Sequence, residues 1–317
     1  MRVFITRGIP QEGIDILISG GVEVDVFPHD RQPTKEEIIE GVRDADALIS
    51  LLTDSIDAEV IDAGKNLKVI GNYAVGYNNI DVDYARKKGI VVVNTPGVLT
   101  DATADLTMAL ILAASRRVLE GDRFVREGKF RGWEPMLLLG LELNGAVLGI
   151  IGAGRIGQAV ARRARAFGMK ILYYSRTRKL EFESEINAEF ADLDTLLGRS
   201  DIISVHVPLT AETRHLLGRR EFEIVKPGAI IVNTSRGEVI DESALIDALK
   251  SGRVSAAALD VFYNEPYVNP ELISMRNVVL TPHIGSATRK TRVNMARMVC
   301  SDVLRVLRGE EPLNRVV

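Results

Sequence analysis

Cysteine is nearly absent from this chain: Cys300 is the only one in 317 residues, and Trp133 is the only tryptophan. A lone thiol excludes an intramolecular disulfide and a thiolate metal cluster. No H-E-x-x-H, P-loop or G-x-S-x-G pattern occurs, so zinc-protease, NTPase and serine-hydrolase chemistry has no footing and no metal is expected. An excess of positive charge is missing too. The formal net charge is −3 and the pI about 5.9, which offers no basic field for nucleic acid or a membrane surface. Long apolar runs are also lacking. The most apolar segment, Met136 to Ala153, is interrupted by Glu142, Asn144 and several glycines. The opening residues MRVFITRGIP hold too short an apolar run for a signal peptide. There is no internal repeat and no low-complexity block. The expected compartment is the cytoplasm.

What is present is an ordinary globular mixture, 46% hydrophobic and 26% charged, long enough for two domains with separate cores. Its organising stretch runs from Gly145 to Arg178. Val147–Ile151 has the apolar character of a buried parallel strand. Gly152-Ala153-Gly154-Arg155-Ile156-Gly157 matches G-x-G-x-x-G, a helix with Ala159, Val160, Ala164 and Phe167 inward follows, and Lys170–Tyr174 is a second strand. Gly152 permits the sharp turn, Gly154 lets a pyrophosphate approach the backbone, and Gly157 allows close helix–strand packing. First-turn amides and the helix dipole then face the anion.

A free ribose 2′-OH is usually met by Asp or Glu about 20 residues after such a fingerprint. Here Arg176, 24 residues after Gly152, sits in Ser175-Arg176-Thr177-Arg178 with Lys179 beside it. Two guanidinium forks and two hydroxyls suit a 2′-phosphate. NADP(H) is therefore favoured, with NAD(H) as the other possibility and a solvated basic turn as the plainer reading of these residues.

Residues 1–98 alternate strand and helix, which predicts a parallel sheet of flavodoxin-like character. The predicted strands are Arg2–Ile5, Val22–Val26, 47–52, 67–72 and 90–93. Helices are expected around Ile14, Ile16 and Leu17, over Lys35–Val42, over 56–63 and over 82–88. Two loops follow strand ends there, where open α/β sheets bind ligands. Tyr73–Asn79 offers consecutive amides at Val75 and Gly76 for a carboxylate, although a turn needing Gly and Asn explains it equally. Leu51-Leu52-Thr53 walls the same side. Asn94-Thr95-Pro96-Gly97 breaks the chain. One long helix is predicted from about 101 to 127, followed by a loop-rich arm to Leu143 whose Leu138, Leu139 and Trp133 suit a homodimer surface. Beyond the fingerprint, helices are predicted at 193–197, 212–224 and 243–250 and strands at 202–206, 229–233, 256–259 and 278–280. A final helix, 288–307, crosses back to the first domain. The expected domains are 1–98 plus 287–317 and 99–286, with a ligand cleft between them.

Three charged residues fall in Gly- or Pro-punctuated loops after strands of the second domain: Arg236, Glu265 and His283. Reducing a carbonyl needs a proton donor active near neutrality, which suits histidine. A carboxylate would orient that ring and raise its pKa, and an arginine would clamp an α-carboxylate. Of the other histidines, His29 reads as a surface loop residue, His215 as a helix residue, and His206 as a strand-end residue lining the cofactor side.

Taken together, 92–97 (VVNTPG), Leu148–Gly157, 205–210 (VHVPLT), Gly228–Gly237, 258–262 with Glu265-Pro266, and Leu280–Gly285 resemble the D-isomer-specific 2-hydroxyacid dehydrogenases over essentially the full chain. The resemblance implies that Arg236 binds the substrate carboxylate, that His283 is the acid–base, and that Glu265 is its partner. It implies carboxylate-binding amides at Val75 and Gly76, with Leu52 and Trp133 also lining the substrate. It places Thr103, Arg155, Ile156, His206, Val207, Pro208, Thr213, Thr234, Asp260 and Gly285 along the cofactor, Thr103 and Asp260 near the nicotinamide end.

Within the family, Gly71–Ile80 and Ser175–Lys179 look most like glyoxylate/hydroxypyruvate reductases, which act on small 2-oxo acids. Glu265 separates the chain from formate dehydrogenases, which pair Gln with the histidine. Asn72 stands where phosphoglycerate dehydrogenases carry Arg, and Val317 ends the chain where those enzymes often add a regulatory domain. Asn78 departs from the usual Asp. Trp133 resembles a tryptophan those reductases send into the partner's active site; simple interface packing accounts for it equally. Two other readings remain: an NAD-dependent D-2-hydroxyacid dehydrogenase of different specificity, including D-3-phosphoglycerate, and a nucleotide-sensing binding protein. The resemblance also implies that domain closure excludes water while hydride transfers.

Overall fold

Short apolar runs separated by capped helices set the architecture of a computed structural model that describes residues 1–317. The first segment lays down β1 (Arg2–Ile5), α1 (Gln11–Ser19), β2 (Glu23–Val26), α2 (Lys35–Val42), β3 (Ala47–Ser50), α3 (Ala58–Ala63), β4 (Val69–Asn72), α4 (Val82–Lys87) and β5 (Val91–Val93). Local chemistry fixes several boundaries. Thr34 and Glu37 form a reciprocal capping box on α2, and Asp57 and Asp81 accept first-turn amides of α3 and α4. The strands pair in parallel in the order β2-β1-β3-β4-β5.

The second segment contains α5 (Thr100–Ser115), α6 (Val118–Arg126), β6 (Val147–Ile151), α7 (Arg155–Ala166), β7 (Lys170–Tyr174), α8 (Leu180–Ile186), β8 (Ala188–Phe190), α9 (Leu193–Arg199) and β9 (Ile202–Val205). It continues through α10 (Arg219–Ile224), β10 (Ala229–Asn233), a 3-10 turn at Gly237–Val239, α11 (Glu242–Lys250), β11 (Val254–Leu259), α12 (Pro270–Ser274) and β12 (Val278–Leu280). These seven strands form a second all-parallel sheet, β12-β11-β10-β9-β6-β7-β8. Strand order reverses direction between β6 and β9, the topological switch point. Helix α13 (Arg289–Leu307) then returns to the first sheet, packing on α1 and β4. Two compact units result, Met1–Leu99 with Ser286–Val317, and Thr100–Gly285. No helix is long and apolar enough to cross a membrane.

Several expectations need correction. The single helix over 101–127 is two, because Arg117 adopts φ +52 and the Leu141 amide donates to the Ser115 carbonyl at 2.8 Å. The helix over 212–224 shrinks to α10. The Thr213 hydroxyl donates to the Pro208 carbonyl at 2.6 Å and accepts from the Thr210 amide at 2.8 Å, which favours a turn. His215, at φ +54, lies in that turn and not in a helix. Phe167 follows the last residue of α7 and is 44% exposed instead of inward. Strand β3 stops at Ser50, since the Leu51 amide turns to the Asp54 carboxylate at 2.7 Å. Helices α8 and α12 and edge strand β8 were not anticipated.

Glycines set the closest approaches. A Cβ on Gly71 of β4 would lie 2.7 Å from Val299 and 2.8 Å from Val303 of α13. Gly71→Ala is therefore expected to overpack this junction and destabilise the protein by about 1–3 kcal/mol, read as a lower unfolding midpoint in a denaturant melt.

Candidate functional site

The fingerprint glycines divide their work. Gly152 has φ +100, donates its amide to Tyr174 O at 2.8 Å, and would place a Cβ 2.8 Å from the His206 carbonyl carbon. A Cβ on Gly157, inside α7, would sit 2.2 Å from Gly152 O. Gly154 differs: at φ −79 it suits any residue, and its Cβ would meet nothing within 4 Å. Two glycines thus serve chain packing, and the third leaves open space at the N-terminus of α7. The first amides of that helix, at Arg155, Ile156 and Gly157, have no intrahelical acceptor, and the dipole favours an anion there. A dinucleotide pyrophosphate fits this cradle. His206 immediately follows β9 on the other side of the switch point, ahead of Val207 and Pro208. Its Nε2 lies 2.8 Å from Ser204 Oγ, and burial lowers its pKa to about 3, so the ring is neutral.

The basic turn after β7 is less free than its composition implies. Arg178 forks onto Glu183 with contacts of 2.8, 3.1 and 2.8 Å. Tyr173 donates to the same carboxylate at 2.6 Å, and its oxygen accepts from the Lys179 amide at 2.7 Å. Arg178 and Tyr173 together hold Glu183 near pKa 2. Ser175 Oγ closes the turn on Thr177 O at 2.6 Å. Arg176 is exposed and takes part in none of these bonds. Of the two guanidinium groups expected here, Arg178 is paired with Glu183, a residue of α8, and Arg176 is not in that pair.

Structure brings Glu265 and His283 together across 18 positions. Glu265 Oε2 lies 2.8 Å from His283 Nδ1, and Glu265 Oε1 accepts from the Phe262 amide at 3.1 Å. This leaves Nε2 of the ring directed away from the carboxylate. His283 sits at φ +52, in the left-handed region. Its loop is clamped by buried Asp260, whose carboxylate accepts from Thr281 Oγ1 at 2.6 Å and from the Ile284 and Gly285 amides at 2.8 Å each. Burial raises the Asp260 pKa, while these donors pull it down. Arg236 feels Glu265 electrostatically; desolvation lowers its pKa and Glu265 and Glu238 raise it, and a guanidinium stays charged through such a shift. Asn233 shapes the arginine's turn, donating to Arg236 O at 2.8 Å and accepting from the Ser235 amide at 2.9 Å.

Thr103 lies beside Asp260 and Gly285: a Cβ on Gly285 would approach Thr103 and the Asp260 carboxylate at 3.3 Å each. Thr234 is 3.0 Å from the hydroxyl of Thr107, one helical turn beyond Thr103 and absent from the expected set. Thr213 closes the 208–213 turn. Leu52, Val75 and Gly76 lie in loops of the first unit. There Asn72 donates to Gly76 O and Asn94 to Val75 O, at 2.7 Å each. Both asparagines follow or end apolar strands, a polar residue at a buried strand end being the one local signal for them. Trp133 is 85% exposed in the arm.

The fingerprint geometry separates folding from binding. Gly157→Ala is expected to destabilise the chain through its backbone clash, whereas Gly154→Ala keeps the melting temperature and weakens cofactor binding. Thermal melts paired with fluorescence titration of NADPH and NADH check both.

Residues 108–285 match the family model described as "D-isomer specific 2-hydroxyacid dehydrogenase, NAD binding domain". A glyoxylate reductase of Thermococcus litoralis is 53% identical, covering 99% of this chain and 96% of its own. The crystal structure of a Thermus thermophilus protein aligns with TM-score 0.94 and 48% identity over 100% of both chains. An NADPH-dependent glyoxylate/hydroxypyruvate reductase from Sinorhizobium meliloti, solved with NADP and malonate, aligns at TM-score 0.87 and 31% identity over 100% and 96%. D-lactate dehydrogenase from Aquifex aeolicus, solved with NAD and lactic acid, aligns at 0.88 and 29% over 100% and 99%.

Proposed function

Because the chain belongs to the D-isomer-specific 2-hydroxyacid dehydrogenases, NAD(P)-dependent oxidoreductases, we propose that it reduces glyoxylate and hydroxypyruvate with NADPH, using His283 as the acid. The contact between His283 Nδ1 and Glu265 Oε2 carries this reading. It fixes the imidazole so that Nε2 is the nitrogen left for substrate. The names of the T. litoralis and S. meliloti relatives support the substrate class.

The cradle of Gly152, Gly154 and the α7 amides would hold the pyrophosphate, with Thr103, Thr234 and Asp260 toward the nicotinamide. When bound, the cofactor supplies hydride to the carbonyl carbon. Arg236 is assigned to the substrate carboxylate in the dinucleotide-binding unit, and the Val75 and Gly76 amides are the carboxylate donors assigned to the first unit. His283 Nε2 donates its proton to the carbonyl oxygen as that oxygen gains negative charge, while Glu265 holds the ring through Nδ1. The reverse reaction needs the neutral ring as base.

Arg176 supports NADPH over NADH. The specific observation favouring an NAD-dependent enzyme is the Arg178–Glu183 pair, which removes one expected phosphate ligand. A phosphorylated substrate is disfavoured, since Asn72 supplies an amide already committed to Gly76 O where an arginine would be needed. We also assign a second copy of the chain as the cover of the arm and α6. Helix α6 buries none of its own residues, and Phe130, Trp133, Met136 and Leu139 are 57%, 85%, 75% and 58% exposed.

Initial rates with glyoxylate and hydroxypyruvate, each with NADPH and NADH, test the reading. Preferential use of NADPH that falls about tenfold or more in Arg176→Ala, with NADH rates unmoved, is expected. Faster NADH turnover in the wild type would remove the 2′-phosphate assignment; tight cofactor binding without turnover would favour a nucleotide sensor. His283→Ala should lower kcat by about 10²–10⁴-fold, and near-wild-type turnover would remove the acid–base assignment.

A further inference from the structure

Three consecutive carbonyls in the loop after β4 are held by donors from their own unit. Ala74 O accepts from the Thr95 amide at 3.0 Å, Val75 O from Asn94 Nδ2 at 2.7 Å, and Gly76 O from Asn72 Nδ2 at 2.7 Å. In a trans peptide the C=O and the following N–H point in opposite directions. Tying back these carbonyls therefore turns the amides of Val75, Gly76 and Tyr77 the other way. None of those three amides donates to any group of the chain. Asn72 is fully buried, whereas accessibility rises through Val75 and Gly76 to exposed Tyr77. The carbonyls thus face the body of the unit and the amides its surface.

We infer that Asn72 and Asn94 are positioning residues that aim a row of three amides, the third belonging to Tyr77, at the carboxylate of the substrate. This rests on the assignment of the Val75–Gly76 turn to that carboxylate and adds a donor and two side chains to it. Asparagine is suited to the task chemically. It gives a short, uncharged N–H that neither titrates nor places an anion behind the amides. Its orientation is also set: Asn72 Oδ1 faces the Ser50 hydroxyl at 3.4 Å, leaving Nδ2 for Gly76. Asn79 braces the neighbouring loop, donating to Leu51 O and Asp54 O at 3.1 Å each. The two side chains act on adjacent peptides, so losing either lets one amide of the row rotate away while the rest of the loop stays tied.

Asn72→Ala, Asn94→Ala and Gly76→Pro, the last deleting one amide outright, test the inference. Two quantities are read: KM for glyoxylate with either cofactor, and calorimetric binding of malonate to the cofactor-loaded protein, which needs no turnover. The expected result is a rise of about tenfold in KM for glyoxylate and in Kd for malonate in each asparagine variant. Cofactor KM should stay unchanged and kcat should move less than KM. A variant that merely loosened the fold would shift cofactor KM and kcat together. Should Asn72→Ala fail to fold, Asn94→Ala carries the same test from the adjacent peptide. Wild-type glyoxylate and malonate affinity in the asparagine variants, with weakened affinity in Gly76→Pro, would overturn the positioning role and leave the turn's assignment standing. Wild-type affinity in all three would overturn both.

Discussion

The second unit depends on one backbone contact. Helix α7 sits so near the end of β6 that Gly157 has room for no side chain, a Cβ there falling 2.2 Å from Gly152 O. That proximity puts the helix N-terminus directly over the strand end at the switch point, where its free amides face outward. The His206 backbone, just past β9, presses on Gly152, and its ring stays neutral, with its pKa down at about 3. The positive potential of the cradle therefore comes from peptide dipoles, which do not titrate, and not from the nearby imidazole. An anion held this way depends on no titrating group.

Buried carboxylates organise the functional loops by a shared device. Asp260 gathers a hydroxyl and two amides from the loop carrying His283. Asp54 gathers the Leu51 amide and the Thr6 hydroxyl in the first unit. Burial raises the pKa of each and the donated bonds oppose it. Such a group is costly to bury without partners and specific once partnered, because each oxygen accepts only along certain directions. Strand-ending asparagines do the neutral version of this work: Asn72 shapes 73–76 and Asn233 shapes 234–236.

Much of this fold was legible because its cause is local. Parallel strands are continuous apolar runs, helix starts carry Thr34, Asp57 or Asp241, and glycines mark the turns. The errors lie where a distant partner decides. Nothing between Ser115 and Val118 announces a break, since the amide that donates to the Ser115 carbonyl belongs to Leu141. The pairing of Arg178 with Glu183 likewise depends on α8, which was not anticipated. At the candidate site, residue types and loops were legible but contacts were not. Glu265 and His283 are separated by α12 and β12, and only the sheet's register brings their loops together. Asn72 and Asn94, at the ends of neighbouring strands, act on one loop for the same reason.

His283 shows how these constraints combine. A non-glycine residue at φ +52 costs roughly 1–2 kcal/mol relative to ordinary backbone. Two bonds hold it there, from its amide to Asp260 O at 2.9 Å and Thr281 O at 3.0 Å, while the Asp260 carboxylate fixes the residues on either side. The strain is thus opposed by bonds to the same aspartate that lies beside Thr103 and Gly285. With the backbone over-determined and Nδ1 taken by Glu265, the ring has almost no freedom left in rotation or tautomer. A proton donor built this way needs no reorganisation at the moment of transfer, which is the condition under which an imidazole lowers a barrier most. The proposed acid–base role of His283 is consistent with its place on a clamped loop of the dinucleotide-binding unit.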